Sequence, residues 1–282
     1  MTRIWVYLYT MQDSRLSLQD YMTGLLSGGR AVFTREEAIA ALGITPRGFL
    51  KAAARCQHRK QLLNPRHGFY VVVPPQFLSW GGPPPSWYID DLMRHEGHPY
   101  YVGVLSAAQL HGATHQAVMA FQVVTDKRLP RIRAGRSIIS FLYRKDMAGV
   151  ADVLADQKTD TGSMKISSPE LTAFDLIRYA HAAGTVHSIA TVLSDLAPKL
   201  DPQRLVKLAP AFERTVIQRL GYLLDYLKQV KPAAVLHDRL QQTKPLPWTE
   251  LEPNRRRSKS AQPVERNDRW NVIVHRRPEL DQ

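Results

Sequence analysis

Four cations, Arg47, Lys51, Arg55 and Arg59, recur at every fourth residue, so on a helix they drift slowly around one face. Lys60 follows directly, and Arg66 and His67 come a few residues later, before Gly68. No acidic residue lies between Ala38 and Ile89, which leaves this set without a counter-charge in the local sequence. Most charge runs are solvated helix faces. A run with no interleaved acid suits the phosphates of a nucleic acid instead, and a helix that carries it suits a major groove. Arg47 and Lys51, nearest the helix N-terminus, are the candidate base readers. Arg55, Arg59 and Lys60 are candidate phosphate contacts, while Arg66 and His67 would reach flanking backbone or the minor groove.

These side chains need a helix and a hairpin to hold them, and the local signals predict both. Thr34 with Glu37 three residues on is a capping-box pattern, and Gly43 follows Leu42 where a helix ends. Thr45 caps a second helix with Pro46 in its first turn. Phe49, Leu50, Ala53 and Cys56 are expected to pack against the first helix. Leu62-Leu63, then Asn64 to Gly68, then Phe69 to Val73 reads as a β-hairpin with a basic tip. Helix, tight turn, helix and hairpin is the order of a winged helix-turn-helix. A further helix from Ser14 to Gly28 would pack behind it, and Ile4–Leu8 would form a short strand or an arm. The expected N-terminal DNA-binding domain therefore spans residues 1–74.

Pro74-Pro75 and the stretch from Trp80 to Ser86 mark residues 75–86 as an extended, semi-rigid linker. Residues 87–282 then form a second domain, whose predicted order runs largely from strands to helices. A helix covers Trp87 to His95, and a short strand at Tyr100–Val102 leads to a small-residue helix from Leu105 to His111. Strands are expected at Phe121–Thr125, Ser137–Tyr143 and Met164–Ser167. Helices follow from Ser168-Pro169, over Val186–Leu196, Pro202–Leu208, Ala211–Leu227 and Ala233–Gln242, before a last strand at Trp270–Val274. The expected fold class is thus α+β, a winged helix followed by a larger mixed α/β domain. The 282 residues, with 38 Lys and Arg against 25 Asp and Glu, carry a net charge of +13, which favours a polyanionic partner. The single cysteine excludes an intrachain disulfide. Neither a bilayer-spanning apolar run nor a signal-peptide pattern is present, which predicts a cytoplasmic protein without a membrane partner.

Catalytic patterns are weak. His111 and His115 have helical ligand spacing, yet Gly112 interrupts them and no third ligand is placed. Ser106, His111 and either Asp126 or Asp175 could be assembled into a triad on paper, but no Gly-x-Ser-x-Gly elbow supports it. Gly162-Ser163 lacks the paired carboxylates that nucleotidyl transfer needs after it. The second domain reads as non-catalytic, with no metal and no cofactor. Near the C-terminus, Arg255, Arg256, Arg257 and Lys259 form a second basic cluster, read as a solvated loop or as a secondary nucleic-acid contact.

Taken in order, several runs resemble the AbiEi family, the antitoxins of the AbiE type IV toxin–antitoxin systems. They are Tyr100-Tyr101-Val102-Gly103, Leu105-Ser106-Ala107-Ala108 with His111-Gly112, and Phe121 to Lys127. Ser168-Pro169-Glu170 with Thr172-Ala173 and Asp175-Leu176, Arg219-Leu220-Gly221-Tyr222-Leu223, and Arg269-Trp270 with Val272-Ile273-Val274 continue the match. The chain departs from the family pattern in an extension before Ser14 and a basic insertion around Arg255. The resemblance implies a winged helix that binds inverted repeats in the promoter of its own operon and represses it. It implies a C-terminal domain that serves antitoxicity and can assist DNA binding. It also implies a nucleotidyltransferase-like toxin that is countered without a stable complex. A stand-alone transcription factor with a ligand-sensing second domain, or an RNA-binding or processing protein, are the alternative readings. With no heptad or dominant apolar face, the expected binding mode is one monomer on each half-site.

Overall fold

A computed structural model describes residues 16–113, 118–242, 245–252 and 262–279. The fold is mixed α/β, with helices and three sheets among those residues. Two compact units are distinguished, the residues up to Pro84 together with Ala134–Arg136, and the remainder from Pro85 onward. The expected strand at Ile4–Leu8, His115 and the cluster Arg255, Arg256, Arg257 and Lys259 lie outside the described residues.

In the N-terminal unit the order is α1 (Leu18–Ser27), β1 (Val32–Thr34), α2 (Arg35–Leu42), α3 (Pro46–His58), β2 (Leu62–Arg66) and β3 (Phe69–Val72). Ser17 caps α1 in a reciprocal box with Asp20. The three strands pair antiparallel in the order β1-β3-β2, with Val32 opposite Val71. Their inner face meets the helices through aromatic rings. Phe33 stacks on Tyr70 with centroids 5.4 Å apart, and Phe49 of α3 meets Tyr70 edge-on at 5.2 Å. Such pairs add about 0.5–1.5 kcal/mol each beyond simple burial. Strand β1 was not among the expected elements; its three residues are too few to show an alternation.

Residues 75–86 are not extended. Pro75–Trp80 and Pro85–Trp87 are 3-10 turns, with Phe77 N–H donating to Pro74 O at 2.9 Å and Tyr88 N–H to Pro85 O at 3.1 Å. Proline excludes a helix interior, but its fixed φ is suited to the first turn of a helix, where no N–H is required.

In the C-terminal unit α4 (Ile89–Glu96) precedes β4 (Tyr100–Val102), α5 (Val104–Leu110), β5 (Phe121–Thr125), β6 (Ile132–Ala134), β7 (Ser137–Tyr143), β8 (Leu154–Thr159) and β9 (Gly162–Ser167). These six strands form one sheet in the order β6-β7-β5-β4-β9-β8. Five strand neighbours include two parallel pairs, β4 with β9 and β5 with β7. The helices α6 (Pro169–Arg178), α7 (Ala180–Ala183), α8 (Val186–Leu196), α9 (Pro202–Leu208), α10 (Arg214–Tyr226) and α11 (Val230–Gln241) follow. Every residue of α6 from Glu170 to Ile177 is buried, so it is the central helix of this unit rather than an amphipathic surface one.

A small sheet of β10 (Thr249–Glu250), β12 (Val272–Val274) and β11 (Glu265–Asn267), in that order, lies against α10. Gln218 of α10 holds it, its Nε2 donating to Pro247 O and Trp270 O at 2.9 Å each. Gly221 is what lets the helix approach. A Cβ there would sit 2.0 Å from Cζ3 of the buried Trp270 ring.

Candidate nucleic-acid interface

The helix α3 is delimited by its own sequence. Thr34 Oγ1 accepts the Glu37 N–H at 3.2 Å, and the Glu37 carboxylate accepts the Thr34 N–H at 2.7 Å, which fixes the start of α2. Gly43, at φ 60°, ends α2 in the left-handed region. Thr45 then accepts the Gly48 N–H at 3.1 Å with Pro46 as the first residue of α3. At the far end Gln61 N–H donates to Cys56 O and Lys60 N–H to Gln57 O, a closure that puts Lys60 at φ 59°.

Steps of about 100° per residue sort the side chains of α3. Phe49, Ala53 and Cys56 share one arc and are buried. Burial pushes the Cys56 thiol up, against the pull of Arg59 and Arg55, which suits an inert packing residue. Arg47, Lys51 and Arg55 on the helix, with Arg59 and Lys60 at its end, are all exposed. None of these five forms an ion pair among the described residues. The nearby Glu37 is engaged by Arg30 at 2.6 Å instead.

Leu50 does not pack as expected. It is 48% exposed, because one step on from Phe49 carries it out of the buried arc and toward the Arg47 side.

The hairpin of β2 and β3 turns at His67-Gly68, with Gly68 at φ 76°. Asn64 Nδ2 donates to Arg66 O at 2.6 Å and to Phe69 O at 2.8 Å, which fixes the shape of the tip. His67 is exposed there and Arg66 half-buried. All eight N-terminal residues singled out, Thr45 included, thus fall on α3, its two ends and this hairpin.

A second basic element, outside the expected site, lies largely in the C-terminal unit. From Lys127 to Lys145 there are seven Lys and Arg residues and no acid. Lys127, Arg128, Arg131 and Arg133 are exposed, and Arg128 lies over the Tyr143 ring at 5.1 Å. Arg131 and Arg133 flank Ile132 on the edge strand β6, so the apolar residue faces inward and both cations outward. Edge charges also discourage strand-to-strand aggregation, which is a sufficient structural reason for them.

One member of that run behaves otherwise. Arg144 is 1% exposed, lying 3.7 Å from the fully buried Asp175 and 4.6 Å above the Phe212 ring. Its Nε donates to Asp146 O at 2.8 Å and its Nη2 to Ala211 O at 3.1 Å. Tyr101 donates its hydroxyl to Asp175 at 2.8 Å. Burial pushes the Asp175 carboxyl up to about 7, against the pull of Arg144 and the Tyr101 hydroxyl.

The residues of the conceivable triad hold separate partners. Ser106 Oγ accepts the Gln122 N–H at 2.9 Å, His111 Nε2 meets Ser167 O at 2.8 Å, and His98 pairs with Asp126 at 2.9 Å. No group of three or more metal-ligating side chains gathers among the described residues.

Residues 101–226 match the family model of the AbiEi antitoxin C-terminal domain, a span that begins in β4 and ends with α10. Among solved structures, the chain is similar to the crystal structure of the RV2827C protein from Mycobacterium tuberculosis. The TM-score is 0.68 at 18% identity, over 90% of this chain and 89% of that one, a likeness of fold. No curated protein matches the sequence. No described helix is long and apolar enough to cross a membrane. The AbiEi antitoxins are not an enzyme family. With β4, α6 and α10 all inside the matched span, the C-terminal unit thus carries a match to the AbiEi antitoxin C-terminal domain, which supports an antitoxin role in a toxin–antitoxin system.

Proposed function

We propose that this protein is an antitoxin that binds double-stranded DNA at inverted repeats in its own promoter and represses the operon. In this reading it also counteracts a nucleotidyltransferase-like toxin without a stable complex. The carrying observation is the face of α3, with five exposed cations on or beside it and no ion pair among them.

The N-terminal unit then acts as a winged helix-turn-helix, α2 and α3 forming the helix pair and β2–β3 the wing. Arg47 and Lys51 enter the major groove with the N-terminal half of α3, where Arg47 can take a guanine bidentately. Leu50 and Ala54, exposed beside Arg47, offer apolar contact to thymine methyl groups. Arg55, Arg59 and Lys60 contact phosphates, and Arg66 with His67 follow the flanking backbone. In the C-terminal unit, Lys127, Arg128, Arg131 and Arg133 supply further phosphate contacts.

The test is a titration of the full chain with a fragment spanning the upstream repeats and with a scrambled fragment, across a salt series. The account expects tighter binding to the repeats. It also expects log K to fall with log salt by about 0.9 per phosphate contacted. Equal affinity for both fragments at every salt concentration would reduce the interface to a non-specific basic surface. A flat salt dependence would remove phosphate contacts altogether.

A further inference from the structure

A cavity of about 300 Å³ opens in the C-terminal unit between the end of α6, the α7–α8 connection, α10 and the residues after β10. Ile177, Ile189, Leu223 and Leu251 give it an apolar wall. Its polar side chains are unevenly charged. Arg219 and Arg276 line it, against a single acidic residue, Glu252, which has a partner of its own.

Arg219 is half-buried and braced, its Nε donating to Glu250 O and its Nη2 to Thr249 Oγ1, both at 2.8 Å. Its remaining nitrogen has no hydrogen-bond partner among the described residues, and Glu250, whose carboxylate is engaged by His275 at 2.8 Å, attracts the guanidinium only from beyond ion-pair distance. A partly desolvated cation costs free energy unless an anion compensates it. Thr185 and Val186, at the start of α8, line the same space and add the positive end of that helix.

We propose that this cavity binds a small amphipathic monocarboxylate, its head held by Arg219 and Arg276 and its apolar body lodged against Ile177, Ile189, Leu223 and Leu251. A guanidinium takes a carboxylate in a paired, charge-assisted geometry, which accounts for the head. The volume lies at the small end of ligand sites, which sets the body at about eight carbons. Nothing in this assignment depends on DNA binding, and its test contains no DNA.

The experiment is a calorimetric titration of the full chain with octanoate, octanamide and octan-1-ol. Octanoate is expected to saturate one site and to bind about tenfold or more tighter than the two uncharged probes. Arg276→Gln, at an exposed position outside the core, should weaken octanoate about fivefold or more while leaving the neutral probes unchanged. Ile189→Phe, which fills the cavity, should weaken all three. Thermal melts of both variants confirm that the chain is folded. Three results overturn the proposal: no saturation by octanoate at millimolar concentration, equal binding of octanoate and octanamide, or octanoate affinity unchanged in both folded variants.

Discussion

In the N-terminal unit the residues that distinguish the sequence, Arg47, Lys51, Arg55, Arg59 and Lys60, stand exposed on α3 or at its end. In the C-terminal unit the residues that carry the family motif are mostly inside. Tyr101 and Asp175 are buried against each other, Ser106 and Gln122 pair through a backbone N–H, and Gly221 makes room for Trp270. The first set costs the fold little to keep and is available to a partner. The second builds the core that defines the domain. A family match carried by buried residues therefore reports the fold first, and the proposed contacts rest on the exposed residues.

Substitutions in each unit separate the two roles. The largest effect is expected at Asp175. At pH 8, above the range in which its carboxyl holds a proton, Asp175→Ala leaves Arg144 buried without its counter-charge and should lower stability by about 3–5 kcal/mol, read from denaturant unfolding. A loss below 1 kcal/mol would mean that the pair is solvated. Gly221→Ala forces a methyl into the Trp270 ring and should cost about 1–3 kcal/mol in the same measurement. Unchanged stability there would show that α10 and the small sheet separate easily.

The pH dependence has a definite sign. In the folded state the Asp175 carboxyl holds its proton up to about 7, while unfolded it releases it near 3.8. Between those values the native state binds more protons, so the contribution of Asp175 to stability falls as pH rises from about 4 to 7. Unfolding of the chain and of Asp175→Asn, compared at pH 4.5, 6 and 8, isolates this term. The wild type should lose ground to the variant as pH rises, and the opposite trend would place an ionised carboxylate beside Arg144.

The smallest effect has opposite signs in two assays. Lys60 sits at a left-handed position that favours glycine. Lys60→Gly should raise stability by about 1 kcal/mol. It should also weaken binding to any DNA and lower the salt slope by about one. Unaltered affinity would take Lys60 out of the interface.

Local signals made much of the N-terminal unit legible. The Thr34–Glu37 box, Gly43 and the Thr45-Pro46 start are contacts within three residues, so the sequence contains both partners. The apolar type of Leu50 points to the core, whereas its angular phase on the helix carries it outside the buried arc. The C-terminal unit was legible as a resemblance and less so as structure. Strand β8 is an exposed edge without an apolar alternation, recognisable only through its pairing with β9. Arg144 sits in a basic run beside Lys145 and looks like its neighbours. Its burial is decided by Asp175 and Phe212, which come to it through tertiary packing. The cations at β6 have a signal in the sequence, the acid-free run from Lys127 to Lys145.

The central claim is that the exposed face of α3 reads DNA. It is tested most directly by operator affinity and thermal stability measured together on Arg47→Ala. The account predicts a loss of about 1–3 kcal/mol on the operator, a clearly smaller loss on scrambled DNA, and an unchanged melting temperature. An operator affinity equal to that of the wild type, or the same loss on both DNAs, would contradict the assignment of Arg47 as a base reader.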